Sequence, residues 1–318
     1  MLTIQKFGGS SLADRHRIRR AASIAAETLR RGGSLVIVVS ARGSTTDDLI
    51  ADADAIDPGS SARERDALLG TGEQCSAALM AMQLGALGFP SVSLTGGQAG
   101  IKTDLVHGSA RITGIDTCRI MSELGEGKAV VVAGFQGVNA HGDLATLGRG
   151  GSDTTAVELA AALDADRCEI YSDVDGIYTA DPRLVTGAIK LERIDYRDML
   201  LLARGGSQVL HSRSVEAAME RGVEVELLSS FVRRGGTLLT HLEERPAVCG
   251  VTRDMAKSTV SIVGCGVNEG LLADAAAFLA HSGIIVLDTS VSAGVCTLSV
   301  APEQLMPALE LCHRLFFR

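Results

Sequence analysis

Gly148-Arg149-Gly150-Gly151-Ser152-Asp153 sets three glycines around one arginine and follows them with a serine and an aspartate. Glycines let a backbone turn sharply and approach a ligand closely. The spacing predicts a helix over 154–164 with Ser152 as its N-cap, so free N–H groups and the positive helix end face the turn. Such a turn binds an anion, carboxylate or phosphate, and Arg149 can clamp a carboxylate with two parallel hydrogen bonds. A glycine turn beside a solvated acidic loop is the plainer description of the same residues.

Three other groups are candidates for chemistry. Lys6 stands before Gly8 and Gly9, where an ammonium and backbone N–H groups can meet phosphate oxygens; a surface lysine before a turn reads the same way. Glu73, just past a glycine break, can orient a lysine or accept an amine, or can be a solvated helix glutamate. Asp173, Asp175 and Asp181 can organise Mg²⁺, a ribose or a phosphate-bound water, although Asp-x-Asp-Gly and Asp-Pro also favour turns. Tyr178 and Pro182 can flank a flat base or simply pack.

The elements that would position these groups alternate. Strands are expected at 2–7, 35–39, 92–94, 129–133, 167–171 and 223–229. Helices are expected at 15–31, 63–87 with a break at 70–73, 116–126, 195–204 and 212–222. Residues 134–149 read as one long loop. Five-residue apolar runs such as Leu35–Val39 suit strands buried on both faces. The pattern indicates an α/β domain around a mainly parallel sheet, whose ligands gather at the strand C-termini. A polar connector at 241–246 is the expected boundary, dividing 1–240 from 247–318. Beyond it, strands at 247–252, 259–263, 284–290 and 295–300 and helices at 269–281 and 302–316 form a small ferredoxin-like ββαββα unit.

Composition narrows the field. The 318 residues carry a net charge of −8, only 3% aromatics and no Trp. Neither a basic face nor stacking platforms for nucleic acid are expected. Seven scattered cysteines without a CxxC pair suggest a reducing, cytoplasmic setting, and no side-chain metal site is visible. No signal peptide or membrane-spanning run is read. The phosphate loop GxxxxGK[ST] and the hydrolase elbow GxSxG are absent.

Ile4-Gln5-Lys6-Phe7-Gly8-Gly9-Ser10-Ser11-Leu12 resembles the N-terminal signature of aspartate kinases, in the amino-acid kinase superfamily. The similarity continues through Ser40-Ala41, Thr45-Thr46-Asp47, Gly72-Glu73, Gly134-Phe135-Gln136-Gly137, 147–155 and 171–183. It covers about residues 1–240; the remainder resembles a single ACT regulatory module. The resemblance implies a three-layer αβα sandwich and ATP-dependent phosphorylation of the side-chain carboxylate of L-aspartate, with Mg²⁺ and no metal-ligating side chains. It implies Lys6 and Glu73 in catalysis, Glu73 also positioning Lys6. Ser40, Thr46, Glu73, Arg149, Gly150, Gly151, Ser152 and Asp153 would bind aspartate. Lys6, Phe7, Gly8, Gly9, Ser172, Asp173, Tyr178, Thr179, Ala180, Asp181, Pro182 and Arg183 would bind ATP. The ACT module implies a homodimer and an effector turn at Gly264, Gly266, Val267 and Asn268.

The chain departs from the family pattern at Gly206-Ser207-Gln208, where a nucleotide-binding lysine is usual, and at Arg42 and Ser44, which replace a methionine and an aspartate. Family members usually carry two ACT modules, so one implies reduced or altered feedback control. Two alternatives stand beside the leading reading: a kinase of another amino-acid carboxylate, and a non-catalytic amino-acid-binding subunit.

Overall fold

The computed structural model describes residues 1–207 and 209–317; Gln208 lies outside them. In chain order the strands and helices are β1 (Leu2–Phe7), α1 (Arg15–Arg30), β2 (Ser34–Val39), α2 (Thr45–Ile56), α3 (Ala62–Leu69), α4 (Thr71–Ala86), β3 (Ser91–Leu94), β4 (Ile101–Thr103) and β5 (Ile112–Ile115). Next come α5 (Cys118–Gly125), β6 (Ala129–Ala133), β7 (Gln136–Val138), β8 (Leu144–Thr146), α6 (Gly151–Ala162), β9 (Arg167–Ser172), β10 (Arg193–Asp195), α7 (Tyr196–Arg204), α8 (Ser212–Arg221) and β11 (Val225–Ser229). The last are β12 (Thr237–Thr240), β13 (Gly250–Asp254), β14 (Thr259–Val263), α9 (Glu269–His281), β15 (Val286–Ser292), β16 (Val295–Val300) and α10 (Leu305–Phe316).

By packing, the chain forms two compact units: residues 1–175 with 220–234, and 176–219 with 235–318. In the first, parallel strands lie in the order β11-β9-β1-β2-β6-β3. Side chains alternate across this sheet. Phe7, Leu35, Ile37, Val39 and Val131 pack under α1 and α4 with Ala22, Ala25, Met80 and Leu84, all fully or almost fully buried. Lys6 and Val38 point the other way, toward α6. The result is three layers, αβα, around an apolar sheet. The cross-strand pair Phe7–Tyr171 stacks at 4.8 Å.

Residues 134–149, expected as one loop, instead carry β7 and β8. These pair antiparallel and join β4 and β5 in a second sheet of order β5-β4-β7-β8. Three-residue strands rich in Gly, Thr and Gln leave too short a pattern for periodicity to expose. Asp66 on α3 anchors this sheet. Its carboxylate, 1% exposed, accepts bonds from the backbone of Gly108 and Thr146 and from the Thr146 hydroxyl, and contacts His107 Nδ1 at 2.8 Å.

In the second unit β10 and β12 pair in parallel, and an antiparallel sheet runs β13-β14-β16-β15. β13 takes the edge beside β14, completing four strands from the N-terminal side. The strand expected at 247–252 begins three residues later. Val260, Ile262, Leu298 and Val300 meet Ala275, Leu279, Leu309 and Cys312 in one core, which Ala180 and Val185 also enter. The division by packing therefore falls elsewhere than the polar connector. That connector is held within the second unit: Leu242 N–H donates to Asp195 (3.0 Å) and Arg245 Nε to Asp198 (3.1 Å).

Candidate active site

The C-terminal ends of β1, β2 and β6 adjoin through their loops. Ser40 N–H donates to the Phe7 carbonyl (3.1 Å) and Gly134 N–H to that of Val39 (3.0 Å). The Gly8-Gly9 turn is built for close approach at one position only. A Cβ on Gly9 would stand 2.7 Å from the Ala41 carbonyl oxygen, whereas one on Gly8 would meet nothing nearer than Lys6 Nζ, at 3.5 Å.

α6 brings the arginine-bearing turn to the same place. Its cap is Gly150 in the left-handed region (φ 72°), without a side-chain cap bond, and the helix starts at Gly151. Ser152, expected as the cap, lies inside the first turn. Left-handed Gly148 and Gly150 already turn the chain. A Cβ on Gly134 would come within 2.8 Å of Ser152 Oγ, so only glycine lets the β6 end sit against this helix. Phe135, at φ 68°, is held by its N–H donating to Thr155 Oγ1 (3.2 Å).

Lys6 Nζ lies 2.6 Å from Asp153 Oδ1, with the two side chains 10% and 14% exposed. Asp153 Oδ1 has no aligned hydrogen bond, so the pair is a charge contact. Lys6 is thus held by Asp153. The expected partner, Glu73, bonds elsewhere, because the first turn of α4 aims its carboxylate at the loop after β2. Glu73 Oε1 accepts the Ala41 N–H at 3.0 Å, while Oε2 is buried with no partner. Burial pushes the Glu73 carboxyl up to about 7. Arg149, three residues before Ser152, is exposed and, among the described residues, in no ion pair. Ser40 and Thr46 are half-buried, Thr46 in the first turn of α2.

The residues expected at the nucleotide fall on both units. Ser172 and Asp173 end β9, the serine hydroxyl donating to the Asp173 carboxylate at 3.0 Å. In the second unit, Asp181 accepts from Arg183 Nη2 at 2.8 Å, which holds its carboxyl below the usual range. Thr179 and Ala180 are buried. Pro182 is exposed and Tyr178 half-buried. Among the described residues no three His, Cys, Asp or Glu side chains gather as a metal cage.

The expected effector turn has a structural use for its glycines. A Cβ on Gly264 would collide with the Ala247 carbonyl at 2.2 Å, and one on Gly266 would crowd Ala247 at 2.8 Å. Asn268 caps α9 by accepting the Leu271 N–H (3.0 Å), and Val267 packs on the second unit's core.

With this geometry in hand, the family model described as the amino acid kinase family matches residues 1–229. An aspartokinase of Geobacillus stearothermophilus is 44% identical over 322 residues, covering 99% of this chain and 79% of that protein. The chain belongs to the amino acid kinase family, on its aspartokinase branch. Among solved structures, aspartate kinase from Synechocystis aligns with a TM-score of 0.70 at 37% identity, covering all of this chain and 56% of that one. E. coli aspartokinase III, solved with aspartate and ADP, aligns at 0.72 and 24% identity over 98% of this chain and 84% of that one, a likeness of fold. This family member spans 65% of the length of three further aspartokinases that match at 48% identity.

Three features of the site escaped the sequence: the Lys6–Asp153 contact, the Asp66 anchor and the Thr155 clamp on Phe135. Asp153 follows a glycine turn, which hints at the first. Asp66 follows Arg63-Glu64-Arg65 and looks like any solvated helix aspartate.

Proposed function

We propose that the chain transfers the γ-phosphoryl group of ATP to the side-chain carboxylate of L-aspartate, giving 4-phospho-L-aspartate. The observation that carries the reading is the pairing of two cations at one helix start. The Lys6 ammonium is held almost out of water by Asp153, and Arg149 stands open four residues before that aspartate. A buried ammonium suits charge developing on a transferring phosphoryl; an open guanidinium suits a substrate's α-carboxylate. The unpartnered Oε2 of Glu73 is an acceptor for the substrate's α-ammonium.

The acceptor carboxylate is ionised near neutral pH, so the step asks for no general base. It needs alignment and charge neutralisation, and Lys6, Arg149 and the Gly9 N–H supply both, the Gly8 N–H being spent on the Tyr171 carbonyl (3.2 Å). Ser172, Asp173, Tyr178, Asp181 and Arg183 are the side chains assigned to the nucleotide. Magnesium bound with the nucleotide would neutralise phosphate charge.

Residues 1–240 act as the kinase domain in this reading and 247–318 as an ACT-like module, with 241–246 between. A second copy of the chain on edge strand β15 is supported by the exposure of Ile285, Leu287 and Val291. Seven free thiols support a reducing, cytoplasmic setting, and among the described residues no helix is long and apolar enough to cross a membrane.

Trapping the acyl phosphate with hydroxylamine tests the activity. Aspartate hydroxamate should form only with ATP present. Turnover of N-acetylglutamate with none of aspartate would overturn the substrate assignment.

A further inference from the structure

Thr179 has all its polar groups engaged inside the second unit. Its N–H donates to the Ile189 carbonyl (2.9 Å), and its carbonyl accepts from the N–H of Val251 (2.7 Å), the second residue of β13. Its hydroxyl oxygen accepts the Ile189 N–H (2.9 Å). The hydroxyl also hydrogen-bonds Nε2 of His313, 2.9 Å away on α10. Nε2 can accept the hydroxyl proton or donate its own to the second lone pair of the hydroxyl. Burial favours the neutral form: His313 is 2% exposed, and its ring stacks on Phe317 at 4.9 Å.

An imidazole in such a place could be mere filling, but its partner argues otherwise. Thr179 stands inside the segment Tyr178–Arg183, and the next residue, Ala180, shares a core with Leu309 and Cys312 of α10. The segment is therefore built on the small module. α10 holds it through that shared core and one buried hydrogen bond.

We propose that His313 is a positioning residue for nucleotide binding: through the Thr179 hydroxyl it sets the shape of Tyr178–Arg183, so affinity for the nucleotide depends on where α10 lies. The proposal rests on the reading of that segment as part of the nucleotide site. His313 touches no substrate in it.

The test uses the full chain, titrated with ATP and Mg²⁺ by calorimetry and assayed at steady state. His313→Leu keeps bulk and loses the hydrogen-bonding nitrogen; His313→Gln keeps a hydrogen-bonding group at similar reach. Loss of one buried hydrogen bond that orders a binding segment should weaken ATP about five- to tenfold. The KM for aspartate should move less than about twofold, and His313→Gln should recover most of the loss. Thr179→Val should copy His313→Leu, the double variant should be no worse than either, and Thr179→Ser should stay near wild type. If His313→Leu does not fold, Thr179→Val against Thr179→Ser carries the same readout. Wild-type ATP affinity in a folded His313→Leu would overturn the proposal and leave the nucleotide reading standing, as would equal losses for both substrates. A wild-type chain that binds no ATP would overturn both.

Discussion

Lys6 and Asp153 face each other at 2.6 Å, one from the end of the first strand and one from the first turn of α6, and among the described residues neither has another charged partner. Removing one member strands the other. Lys6→Met should lower kcat by about 10²–10³-fold and destabilise the fold by about 3–5 kcal/mol, the usual cost of leaving a buried charge unpaired. Adding Asp153→Asn should return most of the stability and none of the turnover. Denaturant melts and hydroxamate assays on the three proteins separate the two effects.

Glu73 should make the fold pH-dependent in a direction opposite to ordinary acid denaturation. Its carboxyl ionises near 4.5 when solvated and near 7 when folded. Between those values the folded chain holds a proton that the unfolded chain has lost. Its contribution is therefore complete below about 4.5 and declines as pH rises to about 7, by about 3 kcal/mol in all. Glu73→Gln should flatten this slope, melting later than wild type at pH 8 and similarly at pH 4.5. A Glu73→Gln protein that keeps the wild-type slope would assign it to another group.

The two glycines after Lys6 should fail differently. Gly9→Ala drives a methyl into the Ala41 carbonyl and should lower stability by about 1–3 kcal/mol. Gly8→Ala has room and an ordinary φ of −72°, so its Tm should change little. Its methyl would stand against the Lys6 ammonium, and the loss should appear in kcat. Thermal melts beside rate measurements distinguish them.

Arg149 is exposed and, among the described residues, in no ion pair, so Arg149→Lys should leave Tm alone. Losing the planar fork should raise the KM for aspartate about tenfold or more, with kcat nearly kept. A large fall in Tm would show that the arginine supports the turn instead.

What could be read in advance follows the length of the pattern. Leu35–Val39 and Ala129–Ala133 are unbroken apolar runs, and both are central strands. The helix expected at 269–281 has those very ends. Gln136–Val138 and Leu144–Thr146 stayed hidden because three residues give no period. At the site, residue types pointed to Lys6 and to the glycine turn before Asp153, and the structure brings those two charges together. Their pairing was not legible. Choosing Asp153 over Glu73 as the partner of Lys6 depends on which helix faces which side of the sheet. Likewise nothing in Ala-Asp-Pro suggests that Ala180 belongs to a core made by residues a hundred positions later.

β9 meets β1 on one side and β11 on the other, and β11 is supplied only after 176–219, which belong to the other unit. As the chain leaves a ribosome, the first 175 residues emerge with a bare strand flank. A nascent chain stalled there, or an expression fragment cut there, would present Arg167–Ser172 to any neighbouring backbone. Fragments meant to isolate the first unit should therefore run to residue 234, and shorter ones should aggregate.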